Sequence, residues 1–278
     1  MIIWLASYPK SGNTWVRIFL SYLLSNNNEV KINDTKITQF PLRRDFEDLT
    51  DNIDDLDEFV KNCINAQRKI NLNNKIKIFK THNAFWKNGN YSFTDEENTL
   101  GCIYIVRDPR NVVTSLKNHY RLENYEEATN LILDDKCVIG TLHEKREQID
   151  LPHIISSWKN HFNSWKKINA DYLLIKYENL LHSPETEFLK VINFIEKKTP
   201  QKFNKMKINE AIKNCSFENL QKKELTEGFK EAPKDKGGNF IKFFNLGPKN
   251  KWENILNSEV RMKIEKSFEK EMKELNYL

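Results

Sequence analysis

The sequence predicts an α/β fold in one domain, with a central parallel sheet flanked by helices. Three observations carry that reading. Residues 2–6 and 101–106 are short, unbroken apolar runs. A strand covered on both faces reads this way. Strand-like and helix-like patterns then alternate along the chain, the order expected of a parallel sheet with helices on both sides.

Taken in order, the first strand is residues 2–6, broken by Pro9 and Gly12. From Thr14 the spacing turns helical: Trp15, Ile18, Phe19, Tyr22 and Leu23 share a face, and the run closes near Ser25. Residues 26–53 are polar and irregular. Asp54, Asp55 and Asp57 mark a helix start, with Leu56, Phe59, Val60, Cys63 and Ile64 on the inner side. Residues 75–81 alternate as a second strand and end in Lys80-Thr81-His82. A loop over 83–99 leads to the strand at 101–106. Asp108 suits a helix cap and Pro109 the first helical position. That helix carries Val112, Val113, Ser115 and Leu116.

Residues 117–150 mix charge with aromatic residues and predict mobile helices or loops. Residues 153–169 predict a helix with Ile154, Ile155, Trp158, Phe162 and Trp165 as its apolar stripe. A strand follows over 172–177. Ser183-Pro184-Glu185 opens a further helix, with Phe188, Val191, Ile192 and Ile195 inside. Residues 226–251 are rich in Gly, Lys and Pro and read as a loop able to close over a ligand. The last helix starts at Ser258, with Val260, Ile264, Phe268 and Met272 on one face.

The 278 residues carry a net charge of +5 spread along the chain. That argues against a nucleic-acid footprint. It suits a small anion focused in a cleft. Four cysteines, Cys63, Cys102, Cys137 and Cys215, lie far apart with no CxxC pair. They read as reduced packing thiols in a cytoplasmic protein. A strand beginning at residue 2 leaves no room for a signal peptide. No apolar run approaches the ~20 residues that span a bilayer. His119, His143, His153 and His161 lack ligand-like spacing with Cys or acids, so no metal is expected.

In parallel sheets, ligands bind at the carboxyl ends of the strands. Three predicted strands end in polar groups there: Lys10 and Ser11 after the first, Lys80 and His82 after the second, Arg107 after the third. The first is followed by a tight loop and a helix, a cradle whose N–H groups suit an anion. Lys10, Ser11 and Thr14 add a cation and two hydroxyls. The loop departs from the Walker A pattern, because Lys10 precedes Gly12, the loop's single glycine.

These residues resemble the sulfotransferases that use 3′-phosphoadenosine 5′-phosphosulfate, PAPS. Tyr8-Pro9-Lys10-Ser11-Gly12-Asn13-Thr14-Trp15 is similar to the family's 5′-phosphosulfate loop, and Ile105-Val106-Arg107-Asp108-Pro109-Arg110-Asn111-Val112-Val113-Thr114-Ser115 to its 3′-phosphate segment. Lys80-Thr81-His82 resembles its catalytic Lys-Thr-His. Leu174-Ile175-Lys176-Tyr177-Glu178-Asn179-Leu180 and Cys215-Ser216-Phe217-Glu218-Asn219-Leu220 resemble two further segments. The matches run in order over most of the chain. They imply one sulfotransferase domain over residues 1–278 with a P-loop NTPase-like sulfotransferase fold. They also imply PAPS as co-substrate, no required metal, and a small-molecule or carbohydrate acceptor sulfated on a hydroxyl or amine.

The resemblance assigns roles residue by residue. Lys10, Ser11, Gly12, Asn13, Thr14 and Trp15 would hold the 5′-phosphosulfate end. Arg107 and Ser115 would hold the 3′-phosphate. Tyr177, Cys215, Ser216, Phe217 and Gly247 would complete the nucleotide site, with Trp15 and Phe217 about the adenine. Lys10 would neutralise the leaving oxygen, Lys80 would hold a sulfuryl oxygen, and His82 would take the acceptor's proton. The chain departs from the pattern at Asn245-Leu246, where the family often has a basic pair; Lys242, Lys249 or Lys251 are the candidate replacements. Cys215 stands where the family has threonine.

Residues 83–99, 117–150 and 226–251 are expected to wall the acceptor pocket, with Phe85, Trp86, Tyr91, Tyr120, Tyr125 and Phe229 among them. Two other functions fit parts of the pattern. A P-loop small-molecule kinase would need ATP and magnesium, and the loop spacing argues against it. A nucleotide-binding protein without catalysis is argued against by Lys10 and His82.

Overall fold

The computed structural model describes residues 1–25, 29–140, 151–235 and 237–278. His143 and the second part of the expected loop at 117–150 lie outside the described residues. The elements in order are β1 (Ile2–Ser7), α1 (Asn13–Leu24), α2 (Leu56–Asn71), β2 (Lys77–Thr81), β3 (Lys87–Asn88), β4 (Tyr91–Ser92) and β5 (Thr99–Val106). Then come α3 (Pro109–Tyr120), α4 (Tyr125–Leu133), β6 (Val138–Ile139), β7 (His153–Ile154), α5 (Trp158–Trp165) and β8 (Asp171–Lys176). The chain continues with α6 (Tyr177–His182), α7 (Pro184–Lys198), α8 (Lys205–Asn214), α9 (Phe217–Glu227), α10 (Ser258–Ser267) and α11 (Glu269–Glu274). The fold is α/β, with a central parallel sheet flanked by helices.

The residues group into two compact units. The first comprises residues 1–8, 38–106 and 134–175. It holds the main sheet, in the order β2-β1-β5-β8. β1 pairs in parallel with both neighbours, Ala6 facing Thr81 on one side and Ser7 facing Ile105 on the other. Every residue of β1 is buried, which is why residues 2–6 read as one apolar run rather than as an alternation. Trp4 anchors the core: its ring lies 5.1 Å from Phe93, 5.6 Å from Phe40 and 6.4 Å from Trp165. Burial of each such ring contributes roughly 1.5–3 kcal/mol. The indole N–H donates to Thr99 Oγ1 at 3.0 Å, so burial leaves no donor unmet. Gln39 bridges to Lys80 in parallel, extending the sheet by a short piece beside β2.

The second unit comprises residues 9–37, 107–133 and 176–278. Its helix α1 is buried on nearly every face. Phe19 stacks on Phe188 of α7 at 3.8 Å, and Trp15 meets Phe188 edge-on at 5.9 Å. At the start of α3, Arg110 ties a knot. Its guanidinium pairs with Asp108 at 2.7 Å and Glu265 at 2.6 Å, donates to the Tyr277 carbonyl at 2.8 Å, and stacks on Trp252 at 3.9 Å. Asp108 also accepts from the Arg110 N–H, so it caps α3 as expected.

The structure corrects three local expectations. The helix expected over 153–169 is α5, from Trp158 to Trp165. Ser156 sits at φ +59°, left-handed backbone that interrupts a helix, and Ser157 caps the new start by accepting from the Asn160 N–H. His153 and Ile154 form β7 instead, paired antiparallel with β6. Leu56 is 41% exposed rather than inside, because it is the first residue of α2 and precedes the buried stripe of Phe59, Val60 and Cys63. Helices α8 and α9 had no counterpart in the sequence reading: each buries only two residues, Ile208 with Ala211 and Leu220 with Glu224. No described helix is long and apolar enough to cross a membrane. The four cysteines are free and buried.

Candidate active site

In the second unit, the loop between Pro9 and α1 is shaped by two left-handed residues, Lys10 at φ +65° and Gly12 at φ +104°. Gly12 is the N-cap of α1, and no side chain caps that end. The first N–H groups of the helix have no acceptor within it and carry the positive end of its dipole. A Cβ on Gly12 would stand 2.5 Å from a ring carbon of Tyr177. Glycine is required both for the backbone and for the ring. Tyr177 in turn carries the Arg107 guanidinium 4.3 Å from its ring centroid. Burial raises the Tyr177 phenol above its ordinary value, against the pull of Arg107, so it stays protonated.

Arg107 Nη1 donates to the Lys10 carbonyl at 2.9 Å. Its Nε is buried with no partner, and so is the hydroxyl of Ser11. A buried donor without a partner costs free energy, about 1–3 kcal/mol each. An anionic group at each would meet them, so the donors fit phosphate or phosphosulfate groups. Thr14 donates to Glu231 at 3.5 Å, and Arg17 pairs with the same carboxylate. The Lys10 ammonium lies 3.4 Å from His119 Nδ1 and 3.9 Å from the Phe243 ring centroid. Glu231 and Phe243 both belong to the segment 226–251. Ser115 is half-buried on α3, next to Thr114, whose hydroxyl donates to the Asn250 side chain at 2.9 Å.

The remaining predicted nucleotide residues are placed as follows. Asn13 begins α1 and is buried. Trp15 is buried, with its indole N–H on the Cys215 carbonyl at 2.6 Å. Burial pushes the Cys215 thiol up to about 12. The Ser216 hydroxyl caps α9 by accepting from the Asn219 N–H at 3.4 Å. The Phe217 ring lies against Gly247, which sits at φ +50° and has no room for a side chain. Asn245 and Leu246 are exposed, as are Lys242, Lys249 and Lys251.

In the first unit, β2 delivers Lys80 and His82. His82 Nδ1 lies 2.8 Å from the Ser7 carbonyl, which can only accept. Nδ1 therefore carries the proton, and Nε2 keeps its lone pair. Burial, then the nearby Lys80 charge, hold His82 well below the usual imidazole range. The ring is a neutral base at physiological pH. Lys80 Nζ donates to Gln39 Oε1 at 3.0 Å. The other side of the Gln39 amide meets His153 at 3.0 Å, and His153 meets Asn83 at 2.9 Å. Burial pushes His153 down to about 3. Sequence reasoning missed Gln39 and Glu231 and considered His119 and His153 only as metal ligands. Their roles depend on partners 41 to 217 residues away. Among the described residues, no group of three or more His, Cys, Asp or Glu could hold a metal ion.

Gly12→Ala is expected to lower the melting temperature and to abolish the gain from nucleotide. Forcing left-handed backbone costs about 1–2 kcal/mol before the clash with Tyr177 is counted, and each kcal/mol is worth roughly 2–4 °C in a chain of this size. Thermal shift with and without 3′,5′-bisphosphoadenosine (PAP) checks it. A variant melting and responding like wild type would refute the packing argument.

The family model described as the sulfotransferase domain matches residues 2–276, and the chain belongs to that family. It is 23% identical to mouse sulfotransferase 1 family member D1 over 98% of this chain and 83% of that protein. It is 26% identical to the luciferin sulfotransferase of Photinus pyralis over 78% of this chain and 55% of that protein. In fold it is similar to the crystal structure of mouse sulfotransferase SULT7A1 complexed with PAP, with a TM-score of 0.57 at 18% identity, covering 97% of this chain and 83% of that one. It is likewise similar to retinol dehydratase in a complex with retinol and PAP, with a TM-score of 0.55 at 16% identity, covering 98% and 81%.

Proposed function

We propose that the protein transfers the sulfuryl group of PAPS to a hydroxyl or amine and releases PAP, working as one domain over residues 1–278. The observation that carries this reading is the pair of buried, partnerless donors, Ser11 Oγ in the loop before α1 and Arg107 Nε in the loop between β5 and α3. Family membership supports it, as does the presence of PAP in the two similar structures named above. In the reaction, the acceptor oxygen or nitrogen attacks sulfur and the bond from sulfur to the phosphate oxygen breaks. His82 Nε2 takes the acceptor's proton. Lys10 faces the charge that develops on the leaving phosphate oxygen, and Lys80 holds a sulfuryl oxygen. Arg107 and Ser115 hold the 3′-phosphate, and residues 226–251 close over the nucleotide. No step calls for a metal ion.

The acceptor is a small molecule or carbohydrate. Relatives named for luciferin and flavonol support a ring-bearing small molecule, and relatives named cytosolic sulfotransferases support a cytoplasmic setting. The loop spacing at Lys10 and Gly12 disfavours the kinase reading.

Calorimetry is expected to show PAP binding roughly ten- to a hundredfold more tightly than 5′-AMP, since a charge-assisted contact is worth ~1.5–3 kcal/mol. Equal affinities would sink the 3′-phosphate assignment. Greater stabilisation by ATP with magnesium than by PAP would favour a kinase instead.

A further inference from the structure

Behind His82, in the first unit, lie two buried polar side chains that no step above uses. His161 of α5 and Tyr104 of β5 are both almost wholly excluded from solvent. His161 Nε2 lies 3.0 Å from the His82 carbonyl oxygen, and its Nδ1 lies 2.8 Å from the Tyr104 hydroxyl. We propose that Tyr104 and His161 are a positioning pair that fixes the His82 peptide and so aims the His82 ring. The inference rests on the sulfuryl-transfer reading, in which His82 is the base.

Proton accounting settles how the pair is wired. The His82 carbonyl can only accept, so His161 Nε2 carries a proton and donates it. A neutral imidazole carries one such proton, so Nδ1 accepts from the Tyr104 O–H. Burial pushes His161 down to about 4 and raises the Tyr104 phenol, so both stay neutral through the physiological range and the wiring holds. Tyr8 meets the His161 ring edge-on at 5.5 Å and closes its remaining side.

His82 is therefore held at two places. Its peptide oxygen is held by His161, and its ring is held through Nδ1–H on the Ser7 carbonyl at 2.8 Å. With both fixed, Nε2 keeps one position and one protonation form. A pair that only filled the core would not need polar atoms. Apolar groups of the same shape can replace a buried hydrogen-bonded pair at little cost. Here both bonds lead to the peptide of the base.

The test uses the full chain with 15N-labelled histidine. Its variants are His161→Leu, His161→Gln and Tyr104→Phe, with His82→Asn to assign the His82 signals. Long-range 15N–1H spectra read the His82 tautomer, calorimetry reads PAP affinity, and turnover is followed with PAPS and 2-naphthol. Wild type is expected to show His82 wholly as the Nδ1–H form. His161→Leu is expected to show mixed tautomers, with PAP affinity within a factor of two. Turnover should fall about 10–100-fold, the size of loss when the outer partner of a metal-bound histidine is removed. His161→Gln keeps an N–H donor and should restore the single tautomer and most of the rate. A single tautomer and wild-type turnover in His161→Leu would overturn the proposal. If that variant does not fold, Tyr104→Phe decides: it removes one oxygen and frees His161 Nδ1 to take the proton. A mixed His82 signal there supports the pair, and an unchanged one overturns it. Failure of wild type to bind PAP would strike the sulfotransfer reading instead, and full activity of His82→Asn would strike His82 as its base. The tautomer spectra would still decide what the pair does.

Discussion

His82→Asn is expected to lose ~10²–10⁴-fold in turnover, the usual contribution of a general base, while PAP affinity stays within a factor of two. Asparagine can still donate to the Ser7 carbonyl, so the local bond survives. It offers no basic nitrogen where Nε2 stands. The same assignment sets a pH profile. The base must be unprotonated, and burial with the Lys80 charge holds its pKa well below 6.5. Turnover should stay level as pH falls from 8 through 6.5 and drop only below that, as Nε2 takes up a proton. Single-turnover rates with bound nucleotide confirmed are the measurement. Near wild-type turnover in the variant would move the base elsewhere, and an acid limb centred near pH 7 would contradict the buried, neutral ring.

Lys10→Met is expected to lose ~10²–10³-fold in turnover, the size seen when one preorganised partner of a developing oxyanion is removed. Methionine keeps the length of the stem and an apolar contact to Phe243, but not the charge. Some loss of PAPS affinity should accompany it, because the ammonium meets the phosphosulfate in both ground and transition states. PAP and PAPS titrations beside single-turnover rates separate the two effects. A loss confined to nucleotide affinity, with the bound-state rate unchanged, would reduce Lys10 to a binding residue.

Much of the sheet was legible because burial on both faces removes polar residues from β1 and β5 and leaves bare apolar runs. Gly12 was legible as a turn residue, though not as the seat of the Tyr177 ring, which is a long-range fact. The shortened α5 was hidden because Ile154 and Ile155 continue a helical spacing that the Ser156 backbone interrupts. Leu56 misled because periodicity does not mark where the first turn runs out into solvent. Tyr104 read as part of a buried strand, and His161 only as a histidine without metal-ligand spacing. Their wiring joins positions 57 and 79 residues apart, and a linear pattern carries no sign of such pairs.

The Arg110 knot imposes an order in time. Glu265 is made 155 residues after Arg110, and the Tyr277 carbonyl 167 residues after it. At about 5–20 residues per second, the last partner arrives roughly ten to thirty seconds later. Arg110 gains the Trp252 ring first, then the Glu265 carboxylate beside that of Asp108, and the closing Tyr277 carbonyl last. The contacts of Arg110, three residues from Arg107, are therefore complete only once Tyr277 has been made.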